Sequence, residues 1–351
     1  MTTYDAVAGL QLEIDAYELE GLTLDVSSGF TRRTTVVHLR GAGEEGVGED
    51  PTYEESDQLA FQERGGELPL AGSHTLAGFS ELLARLSLFP DGPTREVSEQ
   101  YRRWAFESAA LDLALRQAGG SLADTVGREP GPVEFVVSMR LGEPPSLDRV
   151  RSLLAAYPGI GLKLDPTSSW TKEIVAELAA TGAVAAVDLK GTYTDVFVAQ
   201  AADPVLYRLM VDAFPQAWIE DPALTPETEP ILAPHRDRIA WDEPIHSVAD
   251  VQALPFPPRT LNVKPSRFGS LRALFDAYDY FAETGIGAYG GGQFELGPGR
   301  GQLQYLASLF HPEAPNDVAP GGFNELRVPA GLPTSPLRPS PARAGFRWHS
   351  G

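Results

Sequence analysis

The chain has 351 residues, 48 acidic against 28 basic side chains, a formal net charge of −20 and no cysteine. That length suits a large barrel or two domains, and the acidity excludes nucleic acid and anionic membrane surfaces as partners, because phosphate binding needs clustered Lys and Arg. Disulfides, thiolate metal sites and a catalytic thiol are excluded too, and with no apolar run of membrane-spanning length and no visible leader a cytoplasmic location is expected.

The first strands are expected within residues 10–48, where LQLEIDAYEL alternates apolar and polar residues and TTVVHLRG is a β-branched run ending in glycine. VSSGFTRR between them reads as a mobile loop, and residues 49–62 form a polar, acidic stretch. Helices are expected over residues 76–88 and 97–119. In the second, Trp104, Ala105, Ala109, Leu111 and Leu115 fall near one face.

After Gly131 short apolar runs alternate with longer helical stretches. The runs are EFVVSM, GIGLKL, AVAAVDL, QAWIE, RIAWD, TLNVK and GIGAYG, with a poorer eighth near residues 316–319. Such alternation implies parallel strands, and about eight units point to an α/β fold with a closed (β/α)8-type barrel. An open doubly wound sheet would need a Gly-rich phosphate loop after an early strand, and none is present. The domains expected are an α+β capping domain over residues 1–128, completed by residues 323–351, and a barrel over residues 129–322. The Pro-rich residues 329–341 would wrap back over the cap.

Five of these runs carry a charge at or next to their end: Lys163, Asp188, Glu220, Asp242 and Lys264, at intervals of 22 to 32 residues. A lone Asp at a strand end is more often a helix cap. One charge per βα unit is what a shared site at the C-terminal ends of barrel strands requires. Three carboxylates are hard oxygen ligands that suit Mg²⁺, and a bound cation would offset their mutual repulsion. Lys163 and Lys264, on the second and sixth of eight strands, would face one another across that cation and act as bases. The alternative is that both lysines merely neutralise the acids.

The sequence resembles the enolase superfamily, and within it the muconate lactonizing enzyme subgroup, which includes o-succinylbenzoate synthases and N-acylamino acid racemases. AFESAALDLALRQAGGSLADTVG is similar to the helix leading from cap to barrel. GLKLDP resembles the Lys-x-Lys strand, WIEDP and AWDEP the second and third ligand strands, LNVKPSRFGS the sixth strand, and GGQFELGPGRG the seventh. The resemblance implies Asp188, Glu220 and Asp242 as ligands of Mg²⁺ or Mn²⁺, and Lys163 and Lys264 as the acid/base pair. The implied reaction removes the α-proton of a small carboxylate substrate to give an enolate. Racemisation or epimerisation, or dehydration or cycloisomerisation, would follow; such sites use a Lys or His base with Mg²⁺.

Three departures from the family pattern bear on the site. Gly161 replaces the first lysine of Lys-x-Lys, and Lys163 is read as the second, with a register placing Asp165 in the base position as the alternative. Lys190 stands where the family has Asn, near the metal, either touching substrate or solvated. The eighth strand offers only Asp317 in place of an Asp-x-Asp pair, which disfavours dipeptide epimerisation. Specificity in the family comes from two capping segments, here residues 27–33 and 49–53, with Arg32 or Arg33 able to pair with a second substrate carboxylate. Glu295 takes the place of the subgroup's seventh-strand glutamate. His246 is read as structural. A homo-oligomer is compatible with all of this, and the rival function is a non-catalytic metal-binding barrel.

Overall fold

The computed structural model describes residues 2–194 and 199–349. The alternating run at the start forms strands β1 (Gln11–Ile14) and β2 (Ala16–Val26), followed by β3 (Phe30–Gly41) and β4 (Glu44–Asp50); β2, β3 and β4 make an antiparallel meander. A fifth strand, β5 (Gly72–Thr75), pairs with β1. The segment expected to be a mobile loop is a tight turn at residues 27–29 and then the start of β3, whose Phe30 to Arg33 pair with Val26 to Thr23. Cross-strand pairing supplies the order that its Ser/Gly/Arg composition does not suggest.

The helix Ser98–Ala118 lies across β4 and is buried along nearly its whole length. Its closeness depends on two glycines. A Cβ at Gly48 would stand 2.0 Å from the Ala105 carbonyl oxygen, and one at Gly46 2.2 Å from that of Ala109. Gly119, left-handed at φ 72°, ends the helix as a C-cap. The earlier helix stops at Leu83, short of the expected residue 88.

Seven parallel strands follow: β6 (Val136–Met139), β7 (Gly161–Leu164), β8 (Val184–Asp188), β9 (Trp218–Glu220), β10 (Ile239–Trp241), β11 (Thr260–Val263) and β12 (Gly287–Gly290). They pair in chain order into one curled sheet. The eighth place is held by two residues. Asn316 bridges Phe135 beside β6, and Asp317 bridges Gly291 beside β12, both parallel. This stub is fixed by backbone hydrogen bonds on both sides, from the Val136 N–H to the Asn316 carbonyl at 2.9 Å and from the Asp317 N–H to the Gly290 carbonyl at 2.7 Å, and by one side chain. The Asn316 amide donates to the carbonyls of Glu134, His311 and Ala314, while its oxygen accepts from the Gly290 N–H.

The C-terminal segment runs under the barrel, where Leu337 bridges Val133, and then back to the cap. There Phe346 packs edge-on against Trp104, and Arg347 pairs with Asp112 at 2.7 Å. Among the described residues no helix is long and apolar enough to cross a membrane.

Candidate active site and metal centre

The ends of β8, β9 and β10 bring Asp188, Glu220 and Asp242 together. All three are fully buried, and one oxygen from each lies within 4.8 Å of the others. Successive parallel strands in register achieve this directly: Asp188 pairs with Glu220, and Glu220 with Ala240, so the acids leave the sheet at nearly one level.

Cations and donors saturate the three carboxylates. Lys163 Nζ, on β7, is 2.5 Å from Glu220 Oε1, 3.5 Å from Asp188 Oδ2 and 3.6 Å from Asp317 Oδ2. Asn262 donates to Glu220 Oε1 at 3.1 Å, and the Tyr289 hydroxyl donates to Oε2. The ammonium of Lys190 rests on Asp188. Lys264 Nζ and Arg267 Nη1 take the two oxygens of Asp242 at 2.8 and 2.9 Å, and the Tyr193 hydroxyl donates to the same carboxylate at 3.1 Å.

Lys163 and Lys264 therefore flank the acids from strands four steps apart in the sheet order. Asp165 lies beyond the end of β7, paired with Arg140 at 3.0 Å, so depth along the barrel puts Lys163 and not Asp165 against the acids. The space above Gly161 is filled by the neighbouring strand: a Cβ there would meet Val136 Cγ1 at 2.9 Å. Gly291 has a second role, since a Cβ there would sit 2.9 Å from Lys264 Cε and block its path.

Burial dominates the electrostatics. It pushes the Glu220 carboxyl up to about 8 and that of its neighbour Asp221 up to about 7, with Asp188 and Asp242 adding repulsion and Lys163 opposing it at Glu220. Asp221 bridges the strands by accepting the backbone N–H groups of Asp242 and Glu243, both at 2.8 Å. For Asp242 the Arg267 and Lys264 cations outweigh burial and hold the carboxyl well below its usual range. Burial alone would lower Lys163, but Glu220 and Asp188 raise it well above an ordinary lysine.

A cavity of about 370 Å³ opens above this cluster. Its wall carries Arg95, Arg140, Lys163, Lys190, Lys264 and Arg267 against Glu54, Asp165 and Asp317, a cationic surplus in an acidic protein. Tyr53 and Tyr101 from the cap line it too, and Phe30 meets Phe294 edge-on at its mouth with ring centroids 5.7 Å apart. Lys190, Asp221 and Phe294 have positive φ of 51°, 46° and 58°, so strained backbone gathers where β8, β9 and β12 emerge.

The capping segments reach the cavity, but not through their arginines. Arg32 is 1 % exposed and gives its donors to backbone carbonyls: Arg33 and Pro51, Thr52 at 2.7 Å, Gln293 at 2.8 Å and Phe294 at 3.3 Å. Its guanidinium also lies 4.3 Å from the Tyr53 ring centre. Arg33 points to the opposite face of β3 and pairs on the surface with Glu55 at 2.6 Å. The substrate contact expected of these arginines is corrected accordingly: Arg32 staples both capping segments to the seventh barrel loop, and Arg33 is a surface residue.

Glu295 is buried off the cavity, accepting the Gln293 N–H at 2.7 Å. His246 turns back to the Glu243 carbonyl at 2.9 Å. The residues the sequence reading passed over are Arg267, Tyr193, Tyr289 and Asn262. Only Arg267 carried a readable signal, lying three residues after Lys264 in KPSR.

The three carboxylates suit a hard divalent cation. The outer contacts from Asn262, Tyr289 and Tyr193 are of the kind that orient such ligands.

Comparison with known proteins agrees with this geometry. The family model described as Domain of unknown function (DUF8230) C-terminal domain matches residues 129–325, and the corresponding N-terminal domain model matches residues 5–125. The chain is 28% identical over 338 residues to an N-succinylamino acid racemase of Thermus thermophilus, covering 88% of this chain and 86% of that protein. It is 27% identical to an o-succinylbenzoate synthase of Geobacillus kaustophilus, where the match spans 61% of this chain but only 58% of that protein. In fold it is similar to the dipeptide epimerase of Methylococcus capsulatus, solved with Mg and the dipeptide L-Arg-D-Lys. That match has a TM-score of 0.67 and 19% identity, over 96% of this chain and 99% of that one. The relatives matched in sequence are named as enzymes, a racemase and a synthase. With both of its domain models matched in order along a capped barrel of the enolase-superfamily type, the chain belongs to the DUF8230 family.

Proposed function

We propose that this protein is a Mg²⁺-dependent isomerase or lyase that removes the α-proton of a small carboxylate. The observation that carries the reading is the placement of Lys163 and Lys264 on opposite flanks of three buried, converging carboxylates. Asp188, Glu220 and Asp242 would hold the ion. When bound, it supplies Lewis-acid polarisation of the substrate carboxylate, which makes the α-proton more acidic.

The chain's own residues do the rest. The acids that hold Lys163 protonated are those that would turn to the ion, and without their pull burial favours the neutral amine that a base requires. Lys264 approaches from the other side of the triad and can return a proton to the opposite face or remain a cation. Opposed lysines serve racemisation or epimerisation directly, and dehydration or cycloisomerisation with one of them as base.

The cationic wall supports a substrate with a second acidic group, such as the N-succinylamino acids and o-succinylbenzoate of the relatives' names, with Lys190 and Arg140 available to pair with it. Phe30 and Phe294 would cover an apolar portion. The test is a proton NMR screen of carboxylic acids in D₂O, comparing Mg²⁺ with chelator. The reading expects loss of an α-proton signal only with Mg²⁺; its absence across acids that bind the protein would refute the reading.

A further inference from the structure

One buried hydroxyl at the cavity has no part in that chemistry. Tyr101, in the first turn of the helix Ser98–Ala118, is 4 % exposed and lines the cavity from the cap side. Its oxygen accepts from a donor. The Tyr53 hydroxyl gives its proton to Gln293 Oε1 at 3.1 Å, which turns the amide so that Nε2 donates to the Tyr101 oxygen, also at 3.1 Å. The guanidinium of Arg267, anchored on Asp242 and on Tyr193, stands on the barrel side and adds positive charge near the same oxygen.

An amide N–H can only donate. The phenol oxygen thus accepts from Gln293, and among the described residues no acceptor takes its proton. Burial raises the phenol above its ordinary value, so the proton stays on at neutral pH. A buried donor without a partner costs stability unless something in the cavity accepts from it.

We propose that Tyr101 contacts the substrate, its O–H a fixed donor directed from the cap into the cavity, so that recognition requires a carbonyl or carboxylate oxygen at that point. The proposal rests on the reading of this cavity as a carboxylate site, but it does not depend on the metal. Gln293 acts as a positioning residue, because its amide holds the Tyr101 oxygen. A ligand with only an apolar group at this position would leave the O–H unpaired and be rejected.

The test pairs a crystal structure with a binding measurement on the full chain. Crystals grown with Mg²⁺, without and with added succinate, should show an oxygen at about 2.6 to 3.2 Å from Tyr101 Oη on the cavity side. This should be a water without succinate and a carboxylate oxygen with it. Tyr101→Phe should weaken succinate by about tenfold in calorimetry while leaving Mg²⁺ affinity within about twofold of wild type. An Oη proton given to a protein acceptor, such as a reversed Gln293 amide, would overturn the proposal. Equal loss of Mg²⁺ and succinate binding in Tyr101→Phe would also overturn it, because it would mark a merely structural role. Failure of wild type to bind Mg²⁺, with the cavity oxygen still on Tyr101, would sink the proposed function and leave this inference standing.

Discussion

Lys264 and Arg267 divide one carboxylate between them: Nζ of the first lies 2.8 Å from Asp242 Oδ2, and Nη1 of the second 2.9 Å from Oδ1. Both cations are buried and leave the barrel at the end of β11, three residues apart, so Asp242 neutralises more than one charge. Its carboxylate matters to stability as well as to any bound ion.

Asp242→Asn should therefore lower stability by about 3 kcal/mol in chelator, because removing one partner strands buried charge. Urea unfolding measures this. Mg²⁺ at a hundredfold excess over its dissociation constant should stabilise wild type by about 2.7 kcal/mol and the variant by nothing. A variant as stable as wild type would show that the two cations find other partners.

The Arg32 staple predicts a large contrast between adjacent residues. Arg32→Met leaves a set of carbonyls from cap and barrel without their donor and should cost about 3 to 5 kcal/mol. Arg33→Ala breaks only a surface pair and should stay within about 1 kcal/mol. Hydrogen exchange should also speed up at residues 50–53 and 292–295 in the first variant and not in the second.

His311 gives a pH prediction with a definite sign. Burial pushes its imidazole down to about 4, and it is held neutral between Asn316 Oδ1 and the Tyr278 hydroxyl. The unfolded chain binds a proton near 6.5 and the folded chain does not, so stability is complete above 6.5 and falls as pH drops toward 4. The loss is on the order of 3 kcal/mol. His311→Gln should be less stable at neutral pH and lack this acid-side slope, as unfolding midpoints between pH 4 and 7 would show. An unchanged slope would place the titration elsewhere.

Much of this was legible in the sequence, for identifiable reasons. Seven of the eight apolar runs are strands, because parallel strands buried on both faces leave short, dense apolar segments. The convergence of Asp188, Glu220 and Asp242 followed from one charge per βα unit. The eighth strand was barely visible because only Asn316 and Asp317 bridge its neighbours, too short a run to show an alternating pattern. Tyr193 and Tyr289 carry no periodic signal that separates them from core aromatics. Adjacent strand residues face opposite ways, so sequence alone leaves open which of Arg32 and Arg33 turns inward; the staple to the Gln293 and Phe294 carbonyls settles it.

The most direct test of the central claim is α-proton exchange in D₂O by single-lysine variants, with Mg²⁺ and a substrate found by the screen offered as separate enantiomers. Methionine keeps much of lysine's shape and removes its proton-transfer group. In a racemase, Lys163→Met should stop exchange from one enantiomer and spare the other, and Lys264→Met should do the reverse. In a one-base lyase, Lys163→Met alone should stop exchange, and Lys264→Met should only slow it. Exchange at the wild-type rate from both enantiomers in both variants would contradict the account, whatever ion the three carboxylates hold.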